Sequence, residues 1–296
     1  MAQRIVISGA SGLIGTVLAS SLRADGIDVT TLVRRPPRVP TEVQWAPGER
    51  ELDPDVLDGA DAVVALGGAS VGRLPWTRGY RRELVESRLT TTRTIATAVR
   101  ALRDAAPAFV SASAVGYYGS APGETLTEDS LAGDTFLAQL CVRWEQEARR
   151  AGEHTRVSLL RTAPIIHRRG VLKPLIQLTR FGLAGPIGPG RQIWPWISLD
   201  DEVRGIRHVI DAGLEGPVNF TGPTPASAND IGRALAEKMH RPFWVPAPSF
   251  ALRLALSTEA ADSLLLSDAD VRPTALEASG FEFTHRTARQ AVDSAL

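Results

Sequence analysis

The stretch Ile5-Val6-Ile7-Ser8-Gly9-Ala10-Ser11-Gly12-Leu13-Ile14-Gly15 decides the fold. Ile5, Val6 and Ile7 are β-branched and suit a short buried strand. From Thr16 to Leu22 apolar residues recur at helical spacing, and Gly26 after Asp25 can close that helix. Val29-Thr30-Thr31-Leu32-Val33 then reads as a second strand, so the chain opens with one βαβ unit. Glycines at 9, 12 and 15 let backbone N–H groups approach a pyrophosphate at the positive end of the helix. The same spacing also fits a ligand-free strand–helix turn. Its place inside a βαβ unit favours a dinucleotide site contacted by Gly9, Ser11, Gly12, Leu13, Ile14 and Gly15.

The second strand ends in Val33-Arg34-Arg35 before Pro36-Pro37 breaks the pattern. An acidic residue at this point would bind the ribose 2′-hydroxyl of NAD. Two arginines instead suit the 2′-phosphate of NADP, the alternative being a solvated basic turn. Ala62-Val63-Val64-Ala65-Leu66 is an apolar run fit for a buried parallel strand. Gly67-Gly68-Ala69 follows it, either as a tight turn or as small residues that let a cofactor pass close to the backbone.

Composition narrows the class. The 296 residues can bury a large core, and Lys+Arg equals Asp+Glu at 33 each. No net charge points to nucleic acid or to an anionic membrane. Cys141 is the single cysteine, which excludes an internal disulfide and suits a reducing compartment. No apolar run approaches the roughly 20 residues of a membrane span. Met1-Ala2-Gln3-Arg4 leads straight into the first strand, so no signal peptide is expected. A soluble, cytoplasmic α/β protein is the expectation. The five histidines, His167 among them, are scattered without ligand spacing, and no metal site is expected.

Further along, Val43-Gln44-Trp45 suits a short edge strand and residues 80–102 a helix containing Ser87-Arg88. Arg88 is either a solvated helix residue or an anion-facing one. Ala108 to Ser113 reads as a strand ending in hydroxyls, and residues 120–134 as a loop. A helix is expected over 135–151, with Asp134 as a possible cap and Phe136, Leu140, Trp144 and Ala148 on one face. Val157 to Leu160 reads as a strand. Beyond Pro164 the alternation becomes irregular. A short helix and a Gly/Pro-rich loop occupy 170–190, and Asp200-Asp201 opens a helix over 201–212 with ordinary first-turn acids. A strand at 218–221 follows, then a helix at 228–240. Two short helical stretches, about 249–265 and 273–279, lead to Phe281-Glu282-Phe283.

This order of elements resembles the extended short-chain dehydrogenase/reductase fold, in the epimerase-like branch labelled nucleoside-diphosphate-sugar epimerase. The resemblance rests on Ser8 to Gly15, Ser87-Arg88, Ser111 to Gly119, Trp144-Glu145, Gly190-Arg191-Gln192, Trp196 to Asp201 and Gly216 to Pro223. It implies a Rossmann-type, doubly wound, seven-stranded parallel sheet, with a smaller C-terminal lobe over the nicotinamide end. The division would be an NADP-binding domain at 1–165, its sheet completed by about 195–222, and a substrate lobe at 166–296. Leu66, Gly67, Gly68, Ala69 and Pro164 would line the cofactor together with the first glycine loop, Arg34 and Arg35.

One departure from the family pattern bears on chemistry. Members of the superfamily carry Tyr-x-x-x-Lys on the helix after the Ser-bearing strand, the lysine lowering the tyrosine pKa. A phenol near its free value of about 10 is a poor base at neutral pH without such a cation. Here that helix reads Thr135-Phe136-Leu137-Ala138-Gln139-Leu140-Cys141-Val142-Arg143, with neither residue at that spacing. Arg88 stands where relatives carry an asparagine, and Ser198 where the branch usually has a histidine. The remaining candidates are Ser113, Tyr118 and Arg88, Tyr118 being either a relocated acid or a packing residue. Two functions follow. One is an NADP(H)-dependent, epimerase-like oxidoreductase acting on a small molecule. The other is an NADP(H)-binding sensor that keeps the fold without the catalysis. A monomer and a homodimer are equally open.

Overall fold

The computed structural model describes residues 3–170 and 172–296. Seven parallel strands form its central sheet: β1 (Arg4–Ser8), β2 (Asp28–Val33), β3 (Glu42–Gln44), β4 (Ala62–Ala65), β5 (Ala108–Ala114), β6 (Val157–Thr162) and β7 (Gly216–Phe220). Their spatial order is β3-β2-β1-β4-β5-β6-β7, so the winding reverses between β1 and β4. Ligands of open α/β sheets lie beyond the strand C-termini at such a reversal.

The inner strands β1, β4 and β6 are buried on both faces, whereas β3 at the edge has no buried residue. Ile5 and Ile7 point into one apolar layer while Val6 points into the other. The first layer is closed by α1 (Leu13–Ala24) and a later helix at Leu199–Ala212; the second by α2 (Arg78–Ala101) and α3 (Phe136–Arg149). Helix starts follow local capping: Thr77 accepts from Tyr80 N on α2, and Thr135 from Ala138 N on α3. Thr135 therefore caps α3, and the expected Asp134 cap is corrected. A threonine hydroxyl one residue later already fills the acceptor position.

After β6 the chain leaves the sheet. Ile165–Ile166 pairs with Ile197–Ser198, enclosing α4 (Leu172–Arg180) and a Gly/Pro-rich loop. Helix α5 (Leu199–Ala212) returns to the sheet, packs against α1 and leads into β7. The remaining chain forms α6 (Ala228–Lys238), α7 (Ser249–Leu256), α8 (Thr258–Leu264), α9 (Thr274–Ala278) and α10 (Ala288–Ala295). The expected helix at 249–265 is broken at Ser257, whose φ of 79° cannot continue a right-handed helix. Thr125–Leu126, inside the expected 120–134 loop, pairs with Asp270–Val271 in a separate two-stranded sheet and ties the C-terminal segment to the connection after β5.

Candidate functional site

The glycine loop sits at the C-terminal end of β1. Gly9 has φ 78°, and a Cβ there would lie 2.7 Å from the Leu66 carbonyl carbon, so the two glycine loops touch through backbone alone. A Cβ on Gly15 would overlap the Gly9 carbonyl. Gly12 differs: it is exposed with an ordinary φ of −76°, and a Cβ would meet only the Gly9 oxygen, at 3.3 Å. Gly12 is also the N-cap of α1, and no side chain caps that helix. The first-turn N–H groups are thereby left to an anion. This open helix start, cradled by residues that tolerate no side chain, fits a dinucleotide pyrophosphate.

The second loop is held by Ser87 on α2, whose Oγ accepts from Ala69 N at 3.0 Å. Arg88, one residue on, lies against Gly68 and over the Trp144 ring, 5.1 Å from its centroid. Its guanidinium donates to the Leu84 carbonyl and has no carboxylate partner among the described residues; burial lowers its pKa. Beyond the loop, Ala69, Val71 and Leu74 join Leu137, Leu256 and Leu264 around a cluster of Trp76, Tyr80, Leu84, Leu140 and Ala260. The approach to the site is therefore walled by apolar side chains from α2, α3, α7 and α8.

At the ribose end the two arginines separate. Arg34 is exposed, with no hydrogen-bond or ion-pair partner among the described residues. Arg35 is not free: it grips Glu42 on β3 with hydrogen bonds of 2.7 and 2.6 Å. The Arg35 hydrogen bonds and the Arg38 backbone N–H hold the Glu42 carboxyl down at about 2. The expectation of two open arginines is corrected to one open and one engaged, because β3 brings a carboxylate beside Arg35.

The largest departure concerns the expected catalytic group. Tyr118 is 3% exposed, and its hydroxyl donates to Asn219 Oδ1 at 2.7 Å while accepting from Arg161 at 2.8 Å. Burial pushes its pKa up to about 12, against the weaker opposing pull of Arg161. Its phenol faces the interior, which corrects the expectation of a proton donor turned to the nicotinamide end. The cation beside it is Arg161, not Arg88. Ser113, also buried, donates to Glu145 Oε1 at 2.8 Å. Glu145 on α3 in turn receives Arg161 Nε and an Arg161 Nη at 2.9 and 3.1 Å. Arg161 further donates to the Glu128 carbonyl, and its guanidinium stacks 3.5 Å from the Tyr117 ring centroid. Strand register explains the assembly, since Ser113 on β5 lies directly beside Arg161 on β6.

Sequence reading missed Arg161, Glu128, Asn219, Thr162 and Glu202. Arg161 had one available signal, a charged side chain in a strand otherwise free of charge. Glu202 hid among first-turn acids. In the structure it is fully buried, its Oε1 accepts from Thr162 Oγ1 at 2.9 Å, and its Oε2 has no partner. Burial raises its pKa to about 8. Pro164, two residues past Thr162, is exposed at the same sheet edge. Asp200, Asp201 and His285 bring ligand-type atoms together. Asp201 spends both oxygens on the Thr284 and His285 N–H groups and on Ser198, which marks it as a clamp on the C-terminal segment.

The model of the NAD dependent epimerase/dehydratase family matches residues 5–220, and a domain of unknown function, DUF1731, matches 247–295. The chain belongs to the NAD-dependent epimerase/dehydratase family. An epimerase family protein of Mycobacterium leprae is 40% identical over 98% of this chain and 95% of its own length. The human epimerase family protein SDR39U1 is 30% identical over 95% of each chain. Among solved structures, human SDR39U1 with NADPH superposes with a TM-score of 0.89 at 28% identity, covering 99% of this chain and 98% of that one. A nucleoside-diphosphate sugar epimerase from Corynebacterium glutamicum gives 0.80 at 31% identity, covering 99% of this chain and 57% of that one. As a family member the protein is NAD(P)-binding, with the Rossmann-like sheet of extended short-chain dehydrogenase/reductases. No helix among the described residues is long and apolar enough to cross a membrane.

Proposed function

We propose that the protein is an NADP(H)-dependent, epimerase-like oxidoreductase that acts on a small carbonyl or hydroxyl compound. The observation that carries the cofactor choice is Arg34, exposed and unpartnered at the end of β2, where an NAD enzyme would place an acid. The NADPH in the human SDR39U1 crystal structure points the same way. Bound NADPH would supply the hydride, and the protein would bind, orient and shield the substrate. The apolar walls formed by Val71, Leu74, Leu137, Leu256 and Leu264 favour a substrate with an uncharged body at the site. Titration of NADPH and NADH by intrinsic tryptophan fluorescence tests the cofactor reading: tighter NADPH binding is expected, and equal affinities or tighter NADH binding overturn it. NADPH oxidation against a panel of small carbonyl compounds tests the chemistry.

A second reading, an NADP(H)-binding sensor without turnover, draws on one observation. Tyr118 and Ser113 both spend their hydroxyls inside the buried Arg161–Glu145 network. On the enzyme reading the proton must come from another group.

A further inference from the structure

Glu202 is a fully buried carboxyl that takes no part in any ion pair among the described residues. One oxygen accepts from Thr162 Oγ1 at 2.9 Å; the other meets no donor among the described residues. A buried carboxylate with a vacant acceptor is costly, whereas a neutral carboxylic acid with a hydrogen to give is far less so. The charged groups of the elements packed around it face elsewhere. Arg161, its neighbour across β6, turns to the opposite sheet face and grips Glu145. Asp201 clamps the backbone at Thr284 and His285, and Arg204 reaches the Glu282 carbonyl and Thr284. His285 Nδ1 faces Ser198.

Thr162 is the last residue of β6, half-buried and in register with Ala114 at the end of β5. It therefore stands at the strand C-termini, one residue beyond the Ser113–Arg161 pair, between the buried acid and the open edge at Pro164.

We propose that Glu202 is the proton reservoir of this site and acts through the Thr162 hydroxyl, taking the place of the tyrosine that α3 lacks. The proposal rests on the cofactor reading above. As hydride reaches the carbonyl carbon of the substrate, the C=O π pair moves onto oxygen. With Glu202 neutral, its Oε1–H donates to Thr162 Oγ1 and the hydroxyl turns its own hydrogen to the substrate. The substrate oxygen takes the Thr162 hydrogen, Thr162 Oγ1 takes the Glu202 hydrogen, and the carboxylate left behind regains a proton from solvent. The sum is carbonyl, reduced nicotinamide and one proton giving alcohol and oxidised nicotinamide. A carboxyl held near pKa 8 is protonated at neutral pH and close to the value at which a general acid works best. Glu202 touches no substrate and is a positioning residue; Thr162 is the group that would touch it.

The test needs no substrate. Oxidised nicotinamide carries a positive ring charge and reduced nicotinamide does not, so only NADP+ favours ionised Glu202. The ring would stand beyond Thr162, so its pull on the carboxyl is weaker than the about 1–3 pKa units of a contact pair, with the same sign. Dissociation constants of NADP+ and NADPH are measured by calorimetry from pH 6 to 9 on the full chain. The 2′-phosphate is common to both and cancels in their ratio. The preference for NADP+ should rise with pH across this range in the wild type, by up to about tenfold. It should be flat in Glu202→Gln. Thr162→Val removes the one hydrogen bond that lowers the Glu202 pKa and should move the midpoint to higher pH, whereas Thr162→Ser should leave it in place. A pH-independent ratio in the wild type, a slope that survives Glu202→Gln, or a midpoint unmoved by Thr162→Val overturns the proposal. Failure of both nucleotides to bind at any pH is a separate result, which overturns the cofactor reading and this one with it.

Discussion

Arg161 on β6 holds Glu145 on α3 through two hydrogen bonds of 2.9 and 3.1 Å, with both side chains 5% exposed or less. The pair locks helix to sheet. Breaking a buried pair from one side strands the other charge, at a cost of about 3–5 kcal/mol. Glu145→Ala should therefore lose about that much stability in urea unfolding. Ser113→Ala, which removes one hydroxyl donor to the Glu145 carboxylate, should lose less, about 1.5–3 kcal/mol. Equal losses would mean that the charge pair is not the brace it looks to be.

Tyr118→Phe deletes the donor to Asn219 Oδ1 and the acceptor of Arg161. Leaving buried polar groups unpaired costs about 1–3 kcal/mol. The expected result is lower stability with NADPH affinity and any NADPH-dependent carbonyl reduction unchanged per folded molecule. A selective loss of turnover in this variant would restore Tyr118 as the acid.

Arg34 and Arg35 should contribute unequally to cofactor choice. A charge-assisted contact to the 2′-phosphate is worth about 1.5–3 kcal/mol, or roughly tenfold to a hundredfold in affinity. Arg34→Ala should erase most of the NADPH-over-NADH preference, and Arg35→Ala less, because Arg35 must leave Glu42 first. Glu42→Gln should sharpen the preference by freeing that guanidinium. Nucleotide titrations on the three variants distinguish these outcomes.

Gly12→Val and Gly15→Val should fail in different ways. Gly12 is exposed, and a Cβ there meets only the Gly9 carbonyl oxygen at 3.3 Å, which a small shift relieves, so its valine should fold, unfold within a few degrees of the wild type and lose nucleotide binding. A Cβ at Gly15 overlaps the Gly9 carbonyl, so that valine should destabilise the βαβ unit itself. Thermal unfolding paired with NADPH titration separates the two.

The pH dependence of stability should carry the signature of Glu202. Its folded pKa of about 8 lies above its unfolded value. Its stabilising neutral form is fully present below the unfolded pKa of about 4.3 and is lost progressively as pH rises towards 8. Each unit of separation is worth about 1.4 kcal/mol. Glu202→Gln keeps the neutral shape without the titration. Its stability relative to wild type should therefore grow between pH 5 and 8 and then level off. Parallel curves over that range would place the folded pKa near its ordinary value.

Local chemistry settled what the sequence by itself determined. The β-branched run Ile5-Val6-Ile7, glycines at 9, 12 and 15, and the helical spacing after them specify a strand, an open helix start and a helix using contacts only a few residues apart. The parallel sheet follows from repeating that unit, and the missing Tyr-x-x-x-Lys was equally plain, because it is a statement about one helix. Direction and partnership of side chains were decided elsewhere. Tyr118 meets Asn219, 101 residues away, and Ser113 meets Glu145, 32 residues away. Arg35 is claimed by Glu42 only because β3 pairs with β2. Glu202 is an unremarkable acid in the chain and, in the fold, a buried one with no ion-pair partner among the described residues, since burial and pairing are properties of every element packed around a residue. The cofactor end of this protein was written in short-range pattern; the identity of any group that moves a proton was not, because a pKa and an orientation belong to the assembled core.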